Sequence, residues 1–141
     1  MNTMNSFYYE KEMIDKLGLI FLNNKKDTKT MHDIKVYSCP FIGHEQKVTD
    51  TISIFSNIIV TFFTNNKGNR CFKLSHEIYG YNYLNSMKWT FKKYQVYSAR
   101  EITMNDDLVV RGSFQSLYNE IHKVYKQINI DLLDKVNNLR S

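Results

Sequence analysis

Aromatic and basic side chains alternate through the stretch from Arg70 to Arg100, which also holds the only tryptophan, Trp89. Bases stack on rings while Lys and Arg neutralise phosphates, so this pattern favours contact with a nucleic-acid strand. A ring must be exposed to stack on a base, and large aromatics on strands, such as Trp89 and Phe91, usually belong to the core. The candidate nucleic-acid contacts are Lys67, Arg70, Lys73, Tyr79, Tyr81, Tyr83, Lys88, Lys92, Lys93, Tyr94 and Arg100.

The positive charge of the chain is concentrated in the same region. The formal net charge is +5, and residues 60–100 alone carry seven Lys or Arg against one Glu. A basic patch attracts nucleic acid, an anionic membrane or an acidic protein without distinguishing among them. A lysine-rich sheet face that serves only solubility is the simplest alternative.

Two Cys-x4-His pairs supply the ligand types of a zinc site: Cys39 with His44, and Cys71 with His76. Positions five apart in a strand face opposite sides and lie roughly 17 Å apart, so Cys71 and His76 could not share one ion. Cys39 and His44 flank the predicted turn at 40–43 and could share one, but a structural zinc site needs four converging ligands. The sequence therefore predicts no metal and no cofactor. It predicts instead two buried free thiols, as expected of a cytoplasmic protein in a reducing compartment.

A metal-independent nuclease would need one or two histidines and a cation for the charge that develops on the phosphorus. His44, His76, Arg70, Lys73 and Tyr79 supply these residue types, but nothing in their spacing brings them together. The sequence has no Walker loop, GxGxxG, GxSxG or HExxH motif. No catalytic residue is therefore assigned, and a nuclease stays an alternative.

Strands are expected to position most of these side chains. Alternating or β-branched runs predict an antiparallel sheet, with Asn and Gly residues at 65–69 forming a hairpin turn. Ser56-Asn57 is expected to break one long apolar run into two strands, although a helix over 50–57 is an alternative. The remaining segments are an apolar run of either type at 19–22, a polar loop at 23–31 and a connection at 79–87. The predicted strands are 33–39, 48–55, 58–64, 70–78 and 88–100.

Helices are predicted at the two ends of the chain. A 3.6-residue repeat predicts a helix over 6–17, with Ser6 as its cap and Glu10 in its first turn. Phe114, Leu117, Ile121, Val124 and Ile128 recur at the same period and predict a C-terminal helix, after which Asp131 caps a last one. Between sheet and helix, Asp106-Asp107 is expected to turn the chain into a short strand at 108–111.

The sequence thus predicts a single α+β domain over 1–141, with an N-terminal helix and C-terminal helices packed on one face of an antiparallel sheet. We expect a small basic nucleic-acid-binding protein. The alternative is an interaction module that docks on an acidic host protein, since Tyr and Trp also anchor protein interfaces. Abundant Asn and Lys with scarce Ala and Pro are typical of AT-rich phage and viral genomes. No signal peptide or membrane span is expected, and pairing of an edge strand leaves a homodimer open.

Overall fold

The computed structural model describes residues 3–113, 123, 126–127 and 130–131, without the side chains of 3–4, 40–44, 46, 91–92 and 94. The predicted C-terminal helix over 114–128 lies mostly outside these residues. Its described members, such as Lys123 and Gln127, are helical. Asp131, expected to cap a last helix, is itself helical and accepts a hydrogen bond from Gln127 one turn earlier (3.0 Å).

In the described part of the chain, five antiparallel strands form one sheet in which every strand pairs with its neighbours in sequence. Sheet and helices together make an α+β fold, as predicted. The turn at 65–69 is confirmed: the backbone N–H of Gly68 donates to the Asn65 carbonyl, and Gly68 has a φ of 81°. The strands are β1 (Ile20–Lys26), β2 (Asp33–Lys47), β3 (Ile52–Thr64), β4 (Arg70–Asn82) and β5 (Met87–Glu101).

Every strand is longer than the sequence predicted. β1 takes up residues 23–26 of the expected loop, and β2 continues past Pro40 and Gly43 because a register shift between Cys39 and His44 absorbs the irregularity. The predicted break at Ser56-Asn57 is wrong. The two side chains continue the alternation of β3, one buried and the other half-buried on the opposite face, so the single strand needs no turn there.

The N-terminal helix α1 (Thr3–Leu17) is confirmed but begins before the predicted first residue. Ser6 is therefore inside the helix rather than its cap, and Glu10 lies beyond the first turn. The Ser6 hydroxyl is buried and accepts the backbone N–H of Arg70 (2.9 Å). Gly18, with a φ of 58°, ends the helix in the left-handed conformation.

The predicted turn at 106–107 and strand at 108–111 are wrong, because residues 106–113 form a helix, α2. Its first turn is closed by N–H groups of Leu108 and Val109, which donate to the carbonyl of Asn105. Three consecutive apolar residues are too short a run for periodicity to separate strand from helix.

The two faces of the sheet differ. Even-numbered residues of β3 and β4, such as Phe62 and Leu74, face the core, where Met13 of α1 and Val110 of α2 pack against them. We call this the packed face. The opposite side, the open face, carries odd-numbered residues of β3 and β4 such as Ile59, most of which are half-buried or exposed.

Candidate functional site

A groove of about 660 Å³ lies on the open face and is lined by residues of all five strands. Strand register explains its composition. Val36 of β2, Thr61 of β3 and Lys73 of β4 form one row across the sheet, and Ile59, Ser75 and Gln95 form the next. Apolar Val36 and Ile59 therefore lie beside the polar side chains of Lys73, Ser75 and Gln95. Its volume falls within the usual range of ligand pockets.

Three exposed lysines reach the groove from different strands. Lys73 and Lys93 belong to the set predicted from sequence, whereas Lys25 of β1 does not. Lys73 and Lys25 lie roughly 14 Å apart across three strand spacings, and Lys93 pairs with Glu77, roughly 13 Å along β4 from Lys73. None of the described side chains that line the groove is Asp or Glu. The charges are spread along the groove, which suits an extended anion better than a compact one.

Next to the groove, the hairpin end of the open face holds Tyr79, Tyr81 and Tyr83 of the predicted set. Tyr79 stacks on Phe55, with ring centroids 5.3 Å apart and planes inclined by 13°, and Lys88 Nζ lies 4.2 Å from the Tyr79 centroid. Tyr83 contacts Tyr81 edge-on (5.0 Å) and is 54% exposed. These rings already have partners inside the protein, so only their outer edges and faces remain for a ligand.

Carboxylates also lie close to this tyrosine cluster. The Tyr83 hydroxyl donates to Glu45 (3.0 Å), and Lys88 Nζ lies 3.5 Å from Glu77. Burial, reinforced by Glu77 and Glu45, raises the pKa of Tyr79, so its phenol stays neutral at physiological pH. Glu77 therefore partly offsets the positive charge of Lys88.

Arg70 is not a surface cation, and its assignment as a phosphate contact is wrong. Its side chain is 2% exposed and donates to both carboxylate oxygens of Glu10, at 3.0 and 2.7 Å. The same guanidinium donates to the Asp33 carbonyl (2.7 Å) and to Thr64 Oγ1 (3.0 Å). A buried arginine is stable only when its guanidinium is paired in this way. Because Glu10 belongs to α1, the ion pair with Arg70 holds α1 against the sheet.

The other predicted cations are scattered. Arg100 pairs with Asp106 of α2 (2.8 Å), away from the groove, and Lys67 is exposed in the β3–β4 turn. The side chains of Lys92 and Tyr94 lie outside those described, although their backbones pair with Ile78 and His76 of β4. Trp89, expected in the core, is half-buried.

Cys71 and His76 lie on opposite faces of β4, as the strand argument predicted. His76 is fully buried on the packed face, where desolvation lowers its pKa to about 4, so the ring is neutral at physiological pH. Cys39 and Cys71 are buried thiols and not joined in a disulfide, and burial raises the pKa of the Cys71 thiol. Among the described residues, no three His, Cys, Asp or Glu side chains could hold a metal ion together.

No family model matches the sequence, and comparisons with curated proteins and with solved structures give no match either. None of the described helices is both long and apolar enough to cross a membrane. What the protein binds must therefore be inferred from the chemistry of the groove.

Proposed function

We propose that the chain binds nucleic acid on the open face of the sheet, with Lys25, Lys73 and Lys93 contacting phosphates. The observation that supports this is that all three lysines line a groove without an acidic residue in its described lining. No ion pair joins any of them to another of the described residues. Each lysine is therefore free to release a counterion from a phosphate, which is the main source of nucleic-acid affinity.

Residues around the groove extend this surface. Lys88, Tyr79 and Tyr83 lie at one end and would contact the strand beyond the groove, with Lys88 weakened by Glu77. Lys67, Tyr81, Lys92 and Tyr94 remain in the proposal on the strength of the sequence pattern. Arg70 is removed from it, and Arg100 contributes little because Asp106 already pairs with it.

We infer that the protein works in a reducing compartment such as the cytoplasm. Both cysteines are buried as thiols and not joined in a disulfide. Such thiols persist where glutathione and thioredoxin keep them reduced.

The test is fluorescence-anisotropy binding of labelled oligonucleotides at two salt concentrations. The variant Lys25→Gln/Lys73→Gln/Lys93→Gln is compared with Lys11→Gln/Lys16→Gln/Lys29→Gln, which removes the same charge from exposed lysines outside the groove. We expect the groove variant to bind more weakly and to lower the slope of log affinity against log salt by about 2, since each phosphate contact contributes about 0.7–0.9. Equal slopes for the two variants, or salt-insensitive binding by the unaltered protein, would contradict the proposal.

One observation favours the alternative of a protein-interaction module. The tip of the β4–β5 hairpin exposes Leu84 (79%), Met87 (61%) and Tyr83 (54%), a patch of the kind that anchors a protein partner. If this function is correct, the hairpin-tip variant Leu84→Asp/Met87→Asp no longer captures an acidic protein partner, whereas the groove variant Lys73→Gln/Lys93→Gln still does. Loss of capture by the groove variant alone would place the partner on the groove instead.

The nuclease alternative finds no support in the position of His76, because a fully buried ring cannot reach a phosphate. The side chain of His44 lies outside those described. The probe recovered after the binding experiment answers this question on a gel, since an intact probe excludes hydrolysis under those conditions.

A further inference from the structure

We infer that the groove takes a single nucleic-acid strand rather than a duplex, which rests on the function proposed above. The apolar side chains at the bottom of the groove, which we call its floor, distinguish a single strand from a duplex better than its charges do. Ile34, Val36 and Ile59 present half-buried apolar side chains to it, so apolar surface lies beside the lysines.

A duplex has no suitable surface for such a floor. Its exterior is covered by phosphates and sugars, and the flat faces of its bases are stacked inside. Docked on the groove, it would hold phosphates against Val36 and Ile59 and would remove charge from water without compensation. An unpaired base, in contrast, has an apolar face that gains by leaving water.

The order of side chains across the sheet also suits one strand. Apolar Ile34, Val36 and Ile59 lie on β2 and β3, in the middle of the groove. Lys73 and Ser75 of β4 and Lys93 and Gln95 of β5 lie on one side of them, and Lys25 of β1 lies on the other. A bound strand would cross the groove, with phosphates near Lys73 and Lys93 on one side and near Lys25 on the other, and with bases over the apolar side chains of β2 and β3 between them. The hydroxyl and amide groups of Thr61, Ser75 and Gln95 are placed to bond sugars or base edges.

The decisive measurement compares a single strand of about 12 nucleotides, a length within the site sizes of single-strand-binding domains, with its blunt duplex at the same salt. We expect the unaltered protein to prefer the single strand by about tenfold or more. The variant Val36→Thr/Ile59→Thr keeps both side chains β-branched, at the loss of one carbon from Ile59, and makes the floor polar. It should lose about tenfold in affinity for the single strand and leave duplex binding unchanged, because stacking on the floor is available only to unpaired bases.

The matched control is Ile20→Thr/Leu22→Thr, which changes two exposed apolar side chains of β1 outside the groove and should leave both affinities unchanged. Equal affinity for strand and duplex, with no effect of the floor substitutions, would overturn the single-strand inference and leave the lysine proposal intact. Absence of any nucleic-acid binding would overturn the proposed function itself. The strand-to-duplex ratio of the unaltered protein decides the matter even if the floor variant does not fold.

Discussion

The buried pair of Arg70 and Glu10 allows a prediction that separates a structural arginine from a phosphate contact. Replacing Arg70 with methionine keeps the apolar bulk but removes both donors to a carboxylate that is itself 8% exposed. The Asp33 carbonyl and the Thr64 hydroxyl lose a donor as well. The main consequence is an unpaired carboxylate inside the protein.

Breaking a buried ion pair from one side costs about 3–5 kcal/mol, and most of that is the uncompensated charge left behind. We therefore expect Arg70→Met to lower the free energy of unfolding by about 4 kcal/mol, a large part of the total stability of a small domain. The double variant Glu10→Met/Arg70→Met has no unpaired charge left at this site. It should be more stable than Arg70→Met alone, although it carries one substitution more.

Urea unfolding followed by far-UV circular dichroism and by the fluorescence of Trp89 measures these differences. With a urea dependence of about 2 kcal/mol per molar, the Arg70→Met midpoint should fall by about 2 M. A loss below about 1 kcal/mol, or a double variant less stable than the single one, would refute the assignment of Arg70 as a buried anchor. Oligonucleotide affinity, measured where the variant is still folded, should not change, and a clear loss would return Arg70 to the binding surface.

Three further predictions concern stability. The pKa of His76 is about 4 in the folded protein and near 6.5 in the unfolded chain. The free energy of unfolding should therefore be highest above pH 6.5 and should fall by about 3 kcal/mol in total as the pH drops towards 4, because the unfolded chain binds the proton more readily. Urea unfolding at several pH values should show a smaller fall for His76→Gln. Gly68→Ala should lower the free energy of unfolding by about 1–2 kcal/mol, because φ at this position is 81° and a Cβ is strained in the left-handed region. Gly112→Ala serves as the control: a Cβ there meets no neighbouring atom, so thermal unfolding should show no loss of stability. Asp106→Ala should lower the free energy of unfolding by about 1 kcal/mol, because the Thr103 N–H loses the carboxylate to which it donates (2.6 Å). A thermal melting curve measures this change, and an unchanged melting temperature would contradict the role of this carboxylate.

The sheet was largely predictable because its signals are local. Alternation along 33–39 and 70–78 and the glycine of the 65–69 turn identify strands and a hairpin without any knowledge of the partner strand. The errors arose where local signals are ambiguous. Ser56 and Asn57 resemble a turn by type, yet their position in the alternation places one inward and one outward, which a continuous strand accommodates.

The site was predictable only in part, because charge along a sequence does not reveal which cations find partners. Lys73 and Lys93 were found by their place in the basic segment, whereas Arg70 meets an acid sixty residues earlier, a pairing that only the fold creates. Lys25 lies in a segment that the sequence predicts to be a loop. β1 is an exposed edge strand, and the polar residues Asn23 to Lys26 show no apolar alternation that would indicate a strand.

The distance in sequence between α1 and its anchor has a consequence for synthesis on the ribosome. Neighbouring strands of the sheet follow one another in the chain, so each hairpin can close soon after it emerges, with little loop entropy to overcome. α1 emerges first, but Glu10 must wait for Arg70, which follows sixty residues later. At bacterial and eukaryotic elongation rates this delay is about 3–12 s. During that interval Met13 and Leu17 lack the β4 side chains that later cover them, so the apolar side of the nascent helix stays exposed to water until β4 has been synthesised.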